Sequence, residues 1–94
     1  MASKNSFPAA LRIARKARDL SQEAFSDVSS RTYVSSLERG LKSPTLAKLT
    51  ELCEVLDIHP MTLLTLAYAA DGQIDALFAR VKRELAAIDA ALDQ

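Results

Sequence analysis

Apolar residues recur along this chain three and four positions apart, and the two-residue alternation of a half-buried strand appears nowhere. Leu46, Leu49, Leu52, Cys53 and Leu56 share one face at that spacing. Ile74, Phe78, Val81, Leu85, Ile88 and Leu92 follow steps of four and three through nearly three heptads. The pattern predicts amphipathic helices and an all-α chain. Leu11, Ala14, Leu20, Phe25, Val34 and Leu37 supply further core walls, and Ile58, Leu63, Leu64 and Leu66 close them.

Proline, serine and glycine divide the pattern into elements. Pro8 opens a first helix that runs to about Arg18, because proline at a helix start gives up only an N–H that has no partner there. Ser21 is placed to cap a second helix, clipped to about Gln22–Ser26, and Ser29 or Ser30 a third over Arg31–Arg39. Gly40 ends that third helix in a left-handed conformation. Ser43-Pro44 opens a fourth helix to about Leu56, with Ser43 as its cap; His59-Pro60 precedes a fifth, to about Ala69. Asp71-Gly72 then breaks the chain before a last helix, about Gln73–Leu92.

Composition narrows the classes of function. At 94 residues the chain holds one modest core. Its single cysteine, Cys53, lies on the apolar face of the fourth helix, and no Cys/His cluster suggests a metal. The only histidine, His59, precedes a proline at a helix start, where capping suits it better than proton transfer. With no carboxylate pair and no phosphate-cradling glycine loop, we expect no enzyme, cofactor or metal. The most apolar stretch, Met61–Ala70, is about half of a bilayer span, and residues 1–10 hold no apolar run. The expectation is a cytoplasmic protein without signal peptide or membrane association, and without a following effector domain.

Net charge is zero, but unevenly distributed. Residues 1–50 carry nine Lys/Arg against four Asp/Glu, and residues 51–94 three against eight. A basic front and an acidic back would orient the molecule on a polyanion; ordinary surface charge is the plainer alternative.

The segment Ser21–Gly40, SQEAFSDVSSRTYVSSLERG, concentrates the functional signal. It reads as two short helices around a tight turn, the second presenting small polar and basic side chains. With its flanks, from about Leu11 to Leu66, it resembles the lambda-repressor-like helix-turn-helix domains of phage repressors, Cro and the Xre-type regulators. The controller proteins of restriction-modification systems are especially similar. The resemblance implies a five-helix DNA-binding domain over residues 1–70, with its helix-turn-helix at about 21–40. Residues 71–94 then add a C-terminal helix.

The third helix is the expected reader of DNA. Arg31, Thr32, Ser35, Ser36 and Arg39 fall on its polar face, with Val34 and Leu37 opposite. An arginine can bind guanine through two hydrogen bonds, and threonine can offer a hydroxyl to a base or a methyl to thymine. Arg31-Thr32-Tyr33 is similar to the run that opens the recognition helix of the controller proteins. The resemblance implies base contacts at Arg31, Thr32 and Ser35 or Ser36. It implies backbone contacts at Arg39, Lys42 and Ser43, a Gln22 that binds phosphate and braces the recognition helix, and a Tyr33 that touches the sugar-phosphate edge or a pyrimidine. It also implies a structural ion pair, Arg15 with Glu38, beneath the helix.

Plainer readings stand beside these: Arg31 as a solvated arginine, Tyr33 packed on the second helix, Gln22 as a first-turn polar residue, and the serines as tolerated surface. The chain departs from the family in its helix-turn-helix, about two residues shorter between Gln22 and Gly40 than usual and without the turn glycine. Val28 takes the apolar place in that turn. Asp19 stands where a glycine often follows the first helix.

The last helix must cover its seam against the chain's own core or against the same helix of a second copy. The seam is long for a core of ten-residue helices, which favours the homodimer, with Ile74, Phe78, Val81, Leu85, Ile88 and Leu92 at the interface. Two recognition helices then read an inverted repeat. The expected function is a sequence-specific double-stranded DNA-binding regulator, most simply a repressor that occludes its operator and answers to its own concentration or to a regulatory protein partner. The competing function is a protein-interaction module on the same scaffold, antitoxin-like or an adaptor, with little DNA affinity.

Overall fold

The computed structural model describes residues 6–69 and 71–93; Ala70, the expected end of the DNA-binding unit, lies outside them, as do residues 1–5 and 94. Five α-helices and a short 3₁₀ helix, with no strand among the described residues, follow in the order α1 (Phe7–Ala17), the 3₁₀ helix (Gln22–Phe25), α2 (Arg31–Glu38), α3 (Leu46–Leu56), α4 (Pro60–Tyr68) and α5 (Ile74–Leu92).

Helix starts follow side-chain chemistry. Ser6, Ser30 and Thr45 each accept a hydrogen bond from the backbone N–H three residues on, at Ala9, Tyr33 and Lys48. The Nδ1 of His59 accepts from the N–H of Met61 at 2.9 Å, so this histidine caps α4 as the sequence suggested. Two expected caps differ. Ser21 occupies the capping position of the 3₁₀ helix without a side-chain bond. Thr45, not Ser43, caps α3, so that helix begins at Leu46 and Pro44 stands before it. Leu46 is consequently 79% exposed rather than part of the core face.

Three helices stop in the same way. After α1, α2 and α3, Asp19, Gly40 and Asp57 adopt left-handed backbone with φ of 58°, 74° and 56°. In each case the next N–H turns back to a carbonyl five residues earlier: Leu20 to Arg15, Leu41 to Ser36, Ile58 to Cys53. Orphan carbonyls at the helix ends are thereby satisfied.

The segment before α2 is tightly wound: Gln22–Phe25 forms 3₁₀ helix, which advances about 2.0 Å per residue against 1.5 Å in an α-helix. The carbonyl of Phe25 then accepts from both Val28 and Ser29 and closes the turn without a glycine. Phe25 is fully buried and Val28 packs on the core beside it.

The core is built from α1, the 3₁₀ helix, α2, α3 and α4. Leu11, Phe25, Val34, Leu37, Leu52, Leu56 and Leu63 are completely enclosed, with Cys53 among them. Burial pushes the Cys53 thiol above its ordinary pKa, which suits a packing residue. Helix α5 buries no residue. Its Leu77, Phe78 and Val81 face α4 across a groove that Met61, Leu64 and Tyr68 also line.

Candidate nucleic-acid interface

Helix α2 is anchored from behind and open in front. Val34 and Leu37 sink into the core, while Arg31 and Thr32 are exposed and Ser35 is half-buried beside them. Ser36 departs from the sequence expectation. It is 7% exposed and belongs to the inner side of the helix with Leu37 and Glu38. Its backbone carbonyl accepts the bond from Leu41 that closes the helix, and a simple helical wheel places its side chain further toward solvent than the structure does. Arg39, Lys42 and Ser43 are exposed at the other end of the helix.

Beneath the helix lies the ion pair suggested by the family resemblance. The Nε and Nη2 of Arg15 donate to the two carboxylate oxygens of Glu38 at 2.6 and 2.9 Å. Nη1 of the same guanidinium donates to the Leu20 carbonyl at 2.8 Å, just past the end of α1. Gln22 donates to Glu38 Oε1 at 3.2 Å and ties in the 3₁₀ helix. Arg12 adds a bond to the Glu38 backbone carbonyl at 3.3 Å. Burial opposes the charge on Glu38, but the hydrogen bonds from Arg15 and Gln22 and the nearby positive charges outweigh it, holding the carboxyl below its usual range. The same bond, against the opposing effect of burial, raises the Arg15 pKa.

Two site residues escaped the sequence reading. Glu23 accepts from Arg31 Nη1 at 3.1 Å, both side chains being well exposed. The foremost cation of α2 thus carries an exposed ion pair with a carboxylate eight residues earlier. Lys48, on α3, donates through Nζ to the carbonyl of Val28 and pairs with Glu51 at 3.1 Å. It braces the turn that sets the angle of α2. Charge alone drew no attention to either residue, since each is one of many on the surface.

Tyr33 is half-buried against the core, and two ammonium groups approach its ring, Lys42 at 5.6 Å and Lys48 at 5.8 Å from the centroid. Such contacts order long side chains beside a helix.

A helix with an exposed basic and hydroxylic N-terminal end, a tight turn before it and a cross-braced underside defines a DNA-reading unit. The chain matches the helix-turn-helix family over residues 11–63, more than half its length, and belongs to the Xre- and Cro-type DNA-binding regulators of that family. No curated protein and no solved structure matches it. Among the described residues, no helix is long and apolar enough to cross a membrane, and no group of His, Cys, Asp or Glu is arranged to hold a metal.

Proposed function

We propose that this regulator binds an inverted-repeat operator as a homodimer and represses by covering the promoter. Residues 1–70 form the DNA-binding unit, and residues 71–94 the dimerisation segment. The observation that carries this reading is the N-terminal end of α2, where Arg31 and Thr32 are exposed and Ser35 is half-exposed beside them, above the Arg15–Glu38 brace.

Arg31 reads a guanine, and Thr32 and Ser35 read the neighbouring base edges. Tyr33, Arg39, Lys42 and Ser43 hold the sugar-phosphate backbone. Gln22 contributes there too, through the amide that now steadies Glu38. One half-site offers few contacts, so tight binding requires a second copy, with the recognition helices about 34 Å apart in successive major grooves. Repression then follows the monomer-dimer balance.

Selecting bound duplexes from a random pool tests the reading in one step. The expected product is a symmetric site with half-sites about one helical turn apart. Recovery of asymmetric or unrelated sequences would remove the dimeric-operator reading. Cutting the chain before Asp71 is expected to give monomers with much weaker operator binding.

The alternative, a protein-interaction module with little DNA affinity, draws on the engagement of Arg31 by Glu23. Salt separates the two. DNA binding falls steeply with ionic strength as condensed counterions are displaced, whereas an adaptor shows no salt-dependent shift with any duplex.

A further inference from the structure

The apolar seam of α5 divides in two. Its first half lies against α4, where Leu77 and Val81 are half-buried. Its second half has no cover: Leu85, Ile88 and Leu92 are 56, 57 and 76% exposed. Charges flank this bare half unequally. Lys82 and Asp89 each follow a seam residue, Val81 and Ile88, and so lie along one edge of the stripe; Glu84 precedes Leu85 and lies along the other. Arg80 holds Glu84 at 3.1 Å along the helix, while among the described residues neither Lys82 nor Asp89 has an ion-pair partner.

We propose that the C-terminal half of α5 pairs antiparallel with the same segment of a second copy, Leu85 packing on the partner's Ile88, Val81 on the partner's Leu92, and Lys82 pairing with the partner's Asp89. The proposal rests on the homodimer reading above and gives it an orientation and a register.

The flanking charges decide the direction, as they do wherever two apolar helical stripes meet. Antiparallel helices bring like edges together. With Leu85 opposite Ile88, Lys82 meets Asp89 twice, once on each side of the two-fold axis. The contact is self-complementary, as a two-fold interface must be. Parallel helices instead bring opposite edges together and set Glu84 against Asp89, a repulsion repeated twice.

Register is decided by charge and exposure together. Shifted by one heptad so that the axis passes Arg83, an antiparallel pair confronts Lys82 with Lys82 and Glu84 with Glu84. Shifted further, it would use Ile74 and Phe78, on the half of α5 that lies against α4, and leave Ile88 and Leu92 bare. The proposed register covers the bare half and leaves Leu77 and Phe78 to the α4 groove, Val81 being shared between the groove and the partner. The paired seam, from Val81 to Leu92, is about 17 Å long at ~1.5 Å per residue.

Charge reversal in the full chain tests the arrangement by sedimentation equilibrium, with helicity monitored by circular dichroism. Lys82→Glu and Asp89→Lys are each expected to weaken self-association about tenfold, since two attractive pairs become repulsive. Mixing the two variants in equal amounts is expected to restore association, because each then supplies the charge that the other needs. The double variant K82E/D89K should also regain wild-type association. A parallel pair gives another signature: Asp89→Lys tightens the dimer and Lys82→Glu leaves it unchanged. That result, or failure of the mixture to associate, overturns the proposed orientation and leaves the homodimer standing. A wild-type chain that stays monomeric at every concentration overturns the homodimer itself.

Discussion

Arg15 grips both carboxylate oxygens of Glu38, joining α1 to α2 by two parallel hydrogen bonds of 2.6 and 2.9 Å. Their side chains are 12% and 3% exposed. Water cannot replace either partner at little cost. Glu38→Ala leaves an enclosed guanidinium without its counter-charge and strands the Gln22 amide as well. We expect a loss of about 3–5 kcal/mol of stability, in the range for breaking a buried pair from one side. Base preference of the protein that remains folded should be unchanged. A melting curve indifferent to the substitution would show that the network does not hold the helices together.

The same pair makes stability depend on acidity, with a definite sign. The Glu38 carboxyl is held below its usual range in the folded protein. Its stabilisation is therefore fully present above the unfolded carboxyl pKa, about 4.3, and is lost as pH falls through the lower folded value. Glu38→Gln keeps the shape and removes the titration. Urea unfolding of both proteins is expected to show a constant stability difference from neutrality to about pH 5, above the unfolded carboxyl pKa. The difference should then narrow in stronger acid. A gap of equal size across the whole range would assign the effect to packing.

The fold was legible because its determinants are local. The core face of α3 from Leu49 to Leu56, the capping by Ser30 and His59 and the left-handed Gly40 each need only a few neighbouring residues, and each appears as expected. The Arg15–Glu38 pair spans 23 positions and was legible only through the family resemblance. Errors arose where distant parts of the chain decide the outcome. Ser36 lies on the polar side of a helical wheel, but the folded chain encloses it to 7% exposure. Ser43-Pro44 offers a credible helix start, yet Thr45 is the residue whose hydroxyl reaches a backbone N–H. Lys48 bonding to Val28 was invisible for the same reason, twenty positions separating donor from acceptor.

The repeated helix stop gives two substitutions of opposite sign. A Cβ placed on Gly40 meets only Pro8 Cγ, at an ordinary 3.5 Å, so space is not the obstacle. The φ of +74° is. Gly40→Ala should cost about 1–2 kcal/mol through left-handed strain alone. Asp57 holds the same conformation at φ +56° with a side chain that only partly tolerates it. Asp57→Gly should therefore gain up to about 1 kcal/mol, the relief of strain exceeding the entropy that glycine adds to the unfolded chain. The backbone carbonyl at this position still accepts from Arg18 Nη2, at 3.1 Å in the present structure. Denaturant midpoints of the two variants on either side of the wild-type value would confirm the assignment; a stabilising Gly40→Ala would refute it.

Arg31 and Lys42 are both exposed cations at opposite ends of α2, and they differ in what they are expected to touch. Arg31 stands at the helix N-terminus in an exposed ion pair with Glu23, at the end expected to approach base edges. Its removal to alanine should cost about 1–3 kcal/mol of discrimination at one base pair, and leave preferences elsewhere in the site intact. Lys42 sits beyond Gly40 with its ammonium over the Tyr33 ring, beside the expected path of the sugar-phosphate backbone. Lys42→Ala should weaken all sequences alike and reduce the slope of log affinity against log salt by about one. Titrating a matched operator, a single-substitution operator and an unrelated duplex at several salt concentrations separates these effects. If Arg31→Ala lowers every affinity equally and only shifts the salt slope, the arginine serves phosphate, and sequence must be read by Thr32 and Ser35 without it.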